Sequence, residues 1–195
     1  MSYVNKVAFI VGNGVSRKNI DLNNLVGHGP IFGCNALYRD FEDWDYLISF
    51  DTGMVREIRE QNFECKGTVV IPPVEKHYES IEYSPFRRRS NAGMIAMESA
   101  IERKHTILYC FGMDFVLEGD VSTDNVYKNT TNYGPETHAT KDDNYHRIRY
   151  LKWFLDKYSD IKFIFVFPDG LKTKTIDAEN FYVMDESVFI DKINH

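Results

Sequence analysis

The sequence predicts an α/β fold, a Rossmann-like three-layer sandwich with a mainly parallel sheet, on three observations. Apolar runs of strand length recur along the chain, such as Val7-Ala8-Phe9-Ile10-Val11 and Ile107-Leu108-Tyr109-Cys110-Phe111. Segments with helical spacing separate them, which is the rhythm of βαβ units. Small, polar residues stand where strand gives way to helix, as in Gly12-Asn13-Gly14 and Ser90-Asn91-Ala92-Gly93, and at such junctions α/β proteins hold phosphorylated ligands.

Each element follows in order. The first strand, about 6–11, runs from Lys6 through five apolar residues to the Gly12-Asn13-Gly14 turn. Ser16 is placed to cap a helix over about 16–25. Strands follow at about 30–34, 45–50 and 67–71, with a helix at about 53–62 between the last two. Asn91 opens a helix over about 91–104, with Met94, Met97 and Ile101 on one face. A strand at about 106–111 comes next. In the helix at about 141–158, Ile148, Leu151, Leu155 and Tyr158 recur at spacings of three, four and three. A strand at about 161–167, a strand-like Phe181-Tyr182-Val183-Met184 and a short helix from Glu186 to Ile193 complete the chain. Residues 115–140 have no sustained periodicity, and a structureless stretch of that length in a compact domain is usually functional. They are read as a lid over the site.

Composition narrows the partners. The 195 residues are 43% hydrophobic, enough for a single domain spanning 1–195 with a full core. The formal charge of −6 argues against a partner in nucleic acid or an anionic membrane and for a small molecule. Cys34, Cys65 and Cys110 form neither a disulfide framework nor a metal-spaced pair, so they read as buried apolar residues in a reducing compartment. No run is long enough to cross a bilayer, and Lys6 leads into a single strand rather than a signal-peptide core. The expectation is a cytoplasmic protein that uses no membrane.

The chemistry gathers at strand ends. Gly12-Asn13-Gly14 lacks the Gly-Lys-Ser/Thr of a Walker loop and the third glycine of a dinucleotide fingerprint, which counts against a kinase or an NAD enzyme. Asn35 and Asp51 follow the second and third strands, on the rim where open sheets bind ligands. The expected nucleotide-binding set is therefore Gly12, Asn13, Gly14, Ser16, Asn35, Asp51, Ser90, Asn91 and Gly93. Arg87 and Arg89, in the dense cluster Arg87-Arg88-Arg89, would attract phosphate beside helix N-terminal amides. His138, with Asp143 to orient it, is suited to act as a general base on a hydroxyl. Asp43-Trp44-Asp45 spells a metal-binding D-x-D pattern but precedes its strand, so its carboxylates should point away from the rim. No metal and no cofactor is expected.

These motifs resemble those of a known family. Val11-Gly12-Asn13-Gly14-Val15-Ser16, with Gly33-Cys34-Asn35-Ala36, resembles the large motif of the sialyltransferases, whose glycine turn and later Asn surround the donor nucleotide. Ser90-Asn91-Ala92-Gly93 through Tyr109-Cys110-Phe111-Gly112 is similar to their small motif, and His138 with Asp143 resembles their terminal motif, in which the histidine is the catalytic base. The resemblance covers about residues 6–155. The membrane anchor and motif-joining disulfide of the eukaryotic enzymes have no counterpart here, and Ser-Asn-Ala-Gly replaces their Ser-Thr-Gly, so the chain looks more like small phage and bacterial members. The resemblance implies a variant GT-A-type fold and metal-independent transfer of a sugar from a nucleotide-activated donor, CMP-linked in that family, to a hydroxyl acceptor. Two other readings stay open on the residues. One is pterin pyrophosphokinase-like diphosphate transfer, with Mg²⁺ held by carboxylates such as Asp51 and Asp114. The other is a non-catalytic nucleotide-binding protein.

Overall fold

The computed structural model describes residues 6–61, 67–71 and 91–194. Among them are seven strands: β1 (Val7–Val11), β2 (Ile31–Cys34), β3 (Tyr46–Ile48), β4 (Thr68–Val70), β5 (Ile107–Phe111), β6 (Lys162–Phe167) and β7 (Phe181–Asp185). They form one sheet in the order β4-β3-β2-β1-β5-β6-β7, and every neighbouring pair is parallel. The chain builds outward from β1 to one edge, then returns to β5 and builds to the other. The order therefore reverses between β1 and β5, and a crevice opens there at the carboxyl ends of the strands. Val11 lies level with both Gly33 and Phe111, so the loops after β1, β2 and β5 leave the sheet at nearly one height.

Alternation along the strands divides the core into two layers. Ala8 and Ile10 of β1 face a cluster with Leu108, Cys110, Phe163 and Phe165. On that face pack α2 (Ala92–Glu102), through Met94 and Met97, and α3 (Lys141–Lys157), through Leu151, Phe154 and Leu155. Phe9 and Val11 face the opposite layer, where Phe189 of α4 (Glu186–Ile193) meets Phe9, Tyr109 and Phe111 at centroid distances of 6.1, 5.1 and 5.1 Å. α1 (Thr52–Gln61) buries Met54, Val55 and Ile58. The three-layer α/β sandwich expected from the sequence is the fold observed.

Two local expectations change. The helix expected over 16–25 is a pair of short 3-10 turns, Val15–Asn19 and Leu22–Leu25. Asp21 caps the second turn by accepting from the Asn23 amide at 3.0 Å, and such local Asx bonds compete with continuous helix. Residues 115–140 also have structure, including the 3-10 turns Asp120–Thr123 and Pro135–Thr137, with Phe115, Val116, Leu117 and Tyr127 buried. Aromatic and aliphatic anchors spaced among polar residues fix this segment without any period.

Cys34 and Cys110 are buried free thiols. Burial pushes Cys34 up to about 12, which suits packing rather than reactivity. Cys65 lies outside the described residues. Asp43 and Asp45 sit at the opposite end of the sheet from the crevice, where Asp45 Oδ2 accepts the Ile31 amide at 2.8 Å. No helix among the described residues is long and apolar enough to cross a membrane.

Candidate functional site

A cleft of about 400 Å³ opens at the point where the strand order reverses, a volume in the range of small-molecule sites. Gly12, Asn13 and Gly14 after β1, Asn35 after β2, Asp51 after β3 and Asn91 with Gly93 at the start of α2 all line it. His138 lines it as well. Arg87, Arg89 and Ser90 lie outside the described residues.

The glycines of the floor serve a purpose different from the expected one. The Gly12 amide donates to the Phe111 carbonyl at 2.8 Å and the Gly14 amide to the Gly112 carbonyl at 2.9 Å. Those two N–H groups are spent on the fold and do not cradle a phosphate. A Cβ on Gly12 would lie 2.7 Å from the Gly112 oxygen, and one on Gly112, whose φ is +63°, would lie 2.8 Å from the Gly12 oxygen. Glycine at both positions lets the ends of the two central strands close on each other. A Cβ on Gly14 would strike the Asp114 carboxylate.

The start of α2 also lies at the cleft. Asn91 caps the helix by accepting from the Met94 amide at 3.0 Å, and no acidic residue occupies the first turn. Amides at the first positions of a helix have no partner within it, and Ala92 and Gly93, at the positive end of the α2 dipole, both line the cleft.

Asn13 holds the most informative atom. Its Nδ2 donates to the Tyr133 hydroxyl at 3.2 Å, while its Oδ1 is the one buried side-chain polar atom among the described residues without a hydrogen-bond partner. An orphaned buried acceptor on a cleft wall is costly unless a ligand completes it. Asn35 has φ +49°, a conformation Asn tolerates better than most residues. It donates to Asp51 Oδ2 at 2.6 Å and accepts from the Ser49 hydroxyl at 2.9 Å, so its amide is oriented from both ends.

Ser16 stands behind the cleft. It is buried, and both its amide and its hydroxyl donate to the Asp114 carboxylate. Burial pushes Asp114 up to about 6 against the opposing effect of those bonds. Ser16 therefore positions Asp114, and it caps no helix.

Asp143 has a structural role of its own. Its carboxylate accepts from the Thr140 amide and hydroxyl at 3.0 and 2.8 Å, closing a capping box at the start of α3. Asp143 does not line the cleft, whereas Asp124 does and feels the charge of His138. Its carboxyl is held below the usual range, first by the Asn125 amide, then by Lys128 and the field of His138.

Several residues that line the cleft or hold its wall escaped the sequence reading. Arg17, only 3% exposed, donates to the Gly12 carbonyl at 2.7 Å and the Tyr127 hydroxyl at 2.7 Å and pairs with Asp40 at 3.1 Å. Arg39 bonds Glu57, the Thr130 hydroxyl and the Thr131 carbonyl, and Asn132 donates to the same Glu57 at 2.7 Å. Burial pushes Glu57 up, but the hydrogen bonds from Arg39, Tyr38 and Asn132 prevail and hold it below the usual carboxylate range. With the Val126 amide on the Asn13 carbonyl at 2.9 Å, these contacts fasten the 125–133 stretch over the cleft as a wall. Tyrosines in an otherwise polar, aperiodic segment were the available signal for that wall. Arg147 of α3 also lines the cleft. Among the described residues no three His, Cys, Asp or Glu side chains come close enough to hold one metal ion.

No protein-family model matches the chain, and no curated protein matches it. Solved structures do. The monofunctional α-2,3-sialyltransferase Cst-I from Campylobacter jejuni is 17% identical with a TM-score of 0.57, over 100% of this chain and 95% of that one. The sialyltransferase CstII from Campylobacter jejuni, in complex with the substrate analogue cytidine-5'-monophosphate, is 15% identical with a TM-score of 0.53, over 96% of this chain and 97% of that one. CstII in complex with a trisaccharide acceptor and CMP gives 16% identity and a TM-score of 0.51, over 96% and 98%. At these identities the likeness is one of fold.

Proposed function

We propose that this chain is a glycosyltransferase of the sialyltransferase type, moving a sugar from a CMP-linked donor to a hydroxyl acceptor without a metal ion. The observation that carries this reading is a single cleft holding both the orphaned Asn13 Oδ1 and His138. It lies in a fold whose solved neighbours bind CMP and an oligosaccharide acceptor.

The roles follow from position. Asn13 and Asn35, at the ends of β1 and β2, bind the nucleoside, with Asn13 Oδ1 accepting from one of its N–H or O–H groups. The Ala92 and Gly93 amides and the α2 dipole stabilise the negative charge that grows on the phosphate as the glycosidic bond breaks. His138 removes the proton of the acceptor hydroxyl, with Asp124 rather than Asp143 as the acid beside it. The 115–140 segment covers the donor as a lid hinged outside its anchored 125–133 stretch.

A thermal-shift screen with CMP, UDP, GDP and ATP, each with and without Mg²⁺, tests the reading, because a ligand that binds only the folded state raises its apparent stability. CMP is expected to stabilise the protein equally in both conditions. Diphosphate transfer is the second reading, favoured by Asp51 and Asp114 lining one cleft. A shift with ATP only when Mg²⁺ is present, and none with CMP, would replace the first reading with it.

A further inference from the structure

We propose that β7 is the docking edge for a second copy of this chain, the two β7 strands pairing antiparallel about a two-fold axis at Val183 and joining two sheets into one. This holds whatever the cleft binds.

Among the described residues β7 ends the sheet on one side, beyond β6. The Phe163 amide donates to the Asn180 carbonyl at 2.9 Å, and the register pairs Phe163 with Phe181 and Phe165 with Val183. In a parallel ladder this turns the N–H and C=O groups of Tyr182 and Met184 toward β6, and those of Phe181, Val183 and Asp185 outward. Two outward groups are in use. The Phe181 amide bonds the Ala178 carbonyl at 3.4 Å, and the Asp185 carbonyl, at the N-cap of α4, belongs to the first turn of that helix. The Val183 amide and carbonyl, the Phe181 carbonyl and the Asp185 amide have no partner among the described residues. Neither neighbouring segment covers this edge. α4 runs back over the sheet, where Phe189 meets Phe9 and Phe111, and the stretch before β7 bonds Glu118 and Val116 through Lys172 and Lys174.

The unused groups are self-complementary, which is why the occupant is a second copy. An antiparallel pair centred on Val183 exchanges both N–H···O bonds between the two Val183 residues, and the Asp185 amide of each copy reaches the Phe181 carbonyl of the other. No outward group of the strand is then left over. The side chains agree with the backbone. Tyr182 and Val183 are 44% and 45% exposed, one on each face, and β7 lacks the Lys, Pro or bulge with which edge strands ordinarily avoid pairing. Tyr182 would lie opposite Met184 of the second copy, an aromatic ring beside a thioether. Charge selects the direction. In the antiparallel pair the two Asp185 positions stand four residues apart along the strands, about 14 Å and beyond the Debye length at physiological salt, whereas parallel pairing would set them side by side. A two-fold contact of this kind also closes, so it ends at two copies.

The experiment is sedimentation of the full chain over a concentration series, with hydrogen exchange measured at both ends of the series. The parent is expected to reach twice the mass of one chain when concentrated and to return to one on dilution. The Val183 amide should be protected only in the concentrated sample, while the Tyr182 amide, which faces β6, is protected in both. Val183→Pro removes an outward N–H that an edge strand can spare, and Val183→Lys sets two like charges opposite each other. Both variants should melt cooperatively and keep the mass of one chain, whereas Val26→Lys, at an equally exposed valine outside β7, should pair like the parent. A single-chain mass at every concentration, pairing that survives both Val183 variants, Val183 exchange that ignores concentration, or masses that grow beyond two chains would overturn the proposal. If the Val183 variants do not fold, exchange at Val183 in the parent decides.

Discussion

At the scale of single residues, His138 and Asp114 make opposite kinds of claim. His138 touches the cleft and is assigned the acceptor proton. His138→Ala should lower turnover by about 10²–10⁴ with nucleotide affinity nearly intact, because it removes proton transfer and no donor contact. Product formed at the parent rate under saturating donor and acceptor would take His138 out of the mechanism. Asp114 makes a claim about stability. Its carboxyl holds a proton up to about 6 in the folded protein and to 3.8 when unfolded. The folded state thus binds the extra proton, and stability falls as pH rises from about 4 to 6, by about 3 kcal/mol for this group. Asp114→Asn can keep the bond from the Ser16 amide while removing the titration. Urea melts should show the variant gaining on the parent by a few kcal/mol between pH 4 and pH 7. A constant difference between the two proteins at both pH values would refute the cause assigned to Asp114.

At the scale of elements, one carboxylate gathers several of the bonds that hold the 125–133 wall. Glu57 gathers Arg39, Tyr38 and Asn132, and through them the Thr130 to Asn132 stretch. Glu57→Ala should speed hydrogen exchange at the Asn129 and Tyr133 amides, which now bond within their own turn, and leave β5 and β6 protected. Unchanged exchange at those amides would mean that the wall stands without Glu57. This wall also marks where the sequence stopped being legible. The strands could be read as short continuous apolar runs, buried on both faces, and the three longer helices by their helical spacing, and each was found within a few residues of its expected bounds. The cleft rim could be read in part, because Gly12, Asn13, Asn35, Asp51 and Gly93 each follow a strand or open a helix. Arg17, Asp40 and Tyr127 could not, since the bonds joining them span 23 and 110 positions. The helix expected over 16–25 failed because short-range Asx bonding overrode its apolar spacing.

At the scale of the whole molecule, the sheet is two halves built outward from β1 and β5, and the site sits on their seam. Gly12 and Gly112 meet there backbone to backbone. Gly112→Ala would combine a left-handed conformation with a clash on a carbonyl oxygen, and a loss of about 2–4 kcal/mol in chemical denaturation is expected. The same variant should weaken the CMP-induced thermal shift, because parting the strand ends tilts Asn13 away from α2. Full retention of both stability and shift would show that the seam can yield. If it does not yield, the cleft has a base that inheritance can hardly touch: two backbones with their bonds already made and no room for a side chain. Novelty in such a protein has to arise in the loops around it, so descendants with different ligands would be expected to share this base and differ in the 120–140 wall.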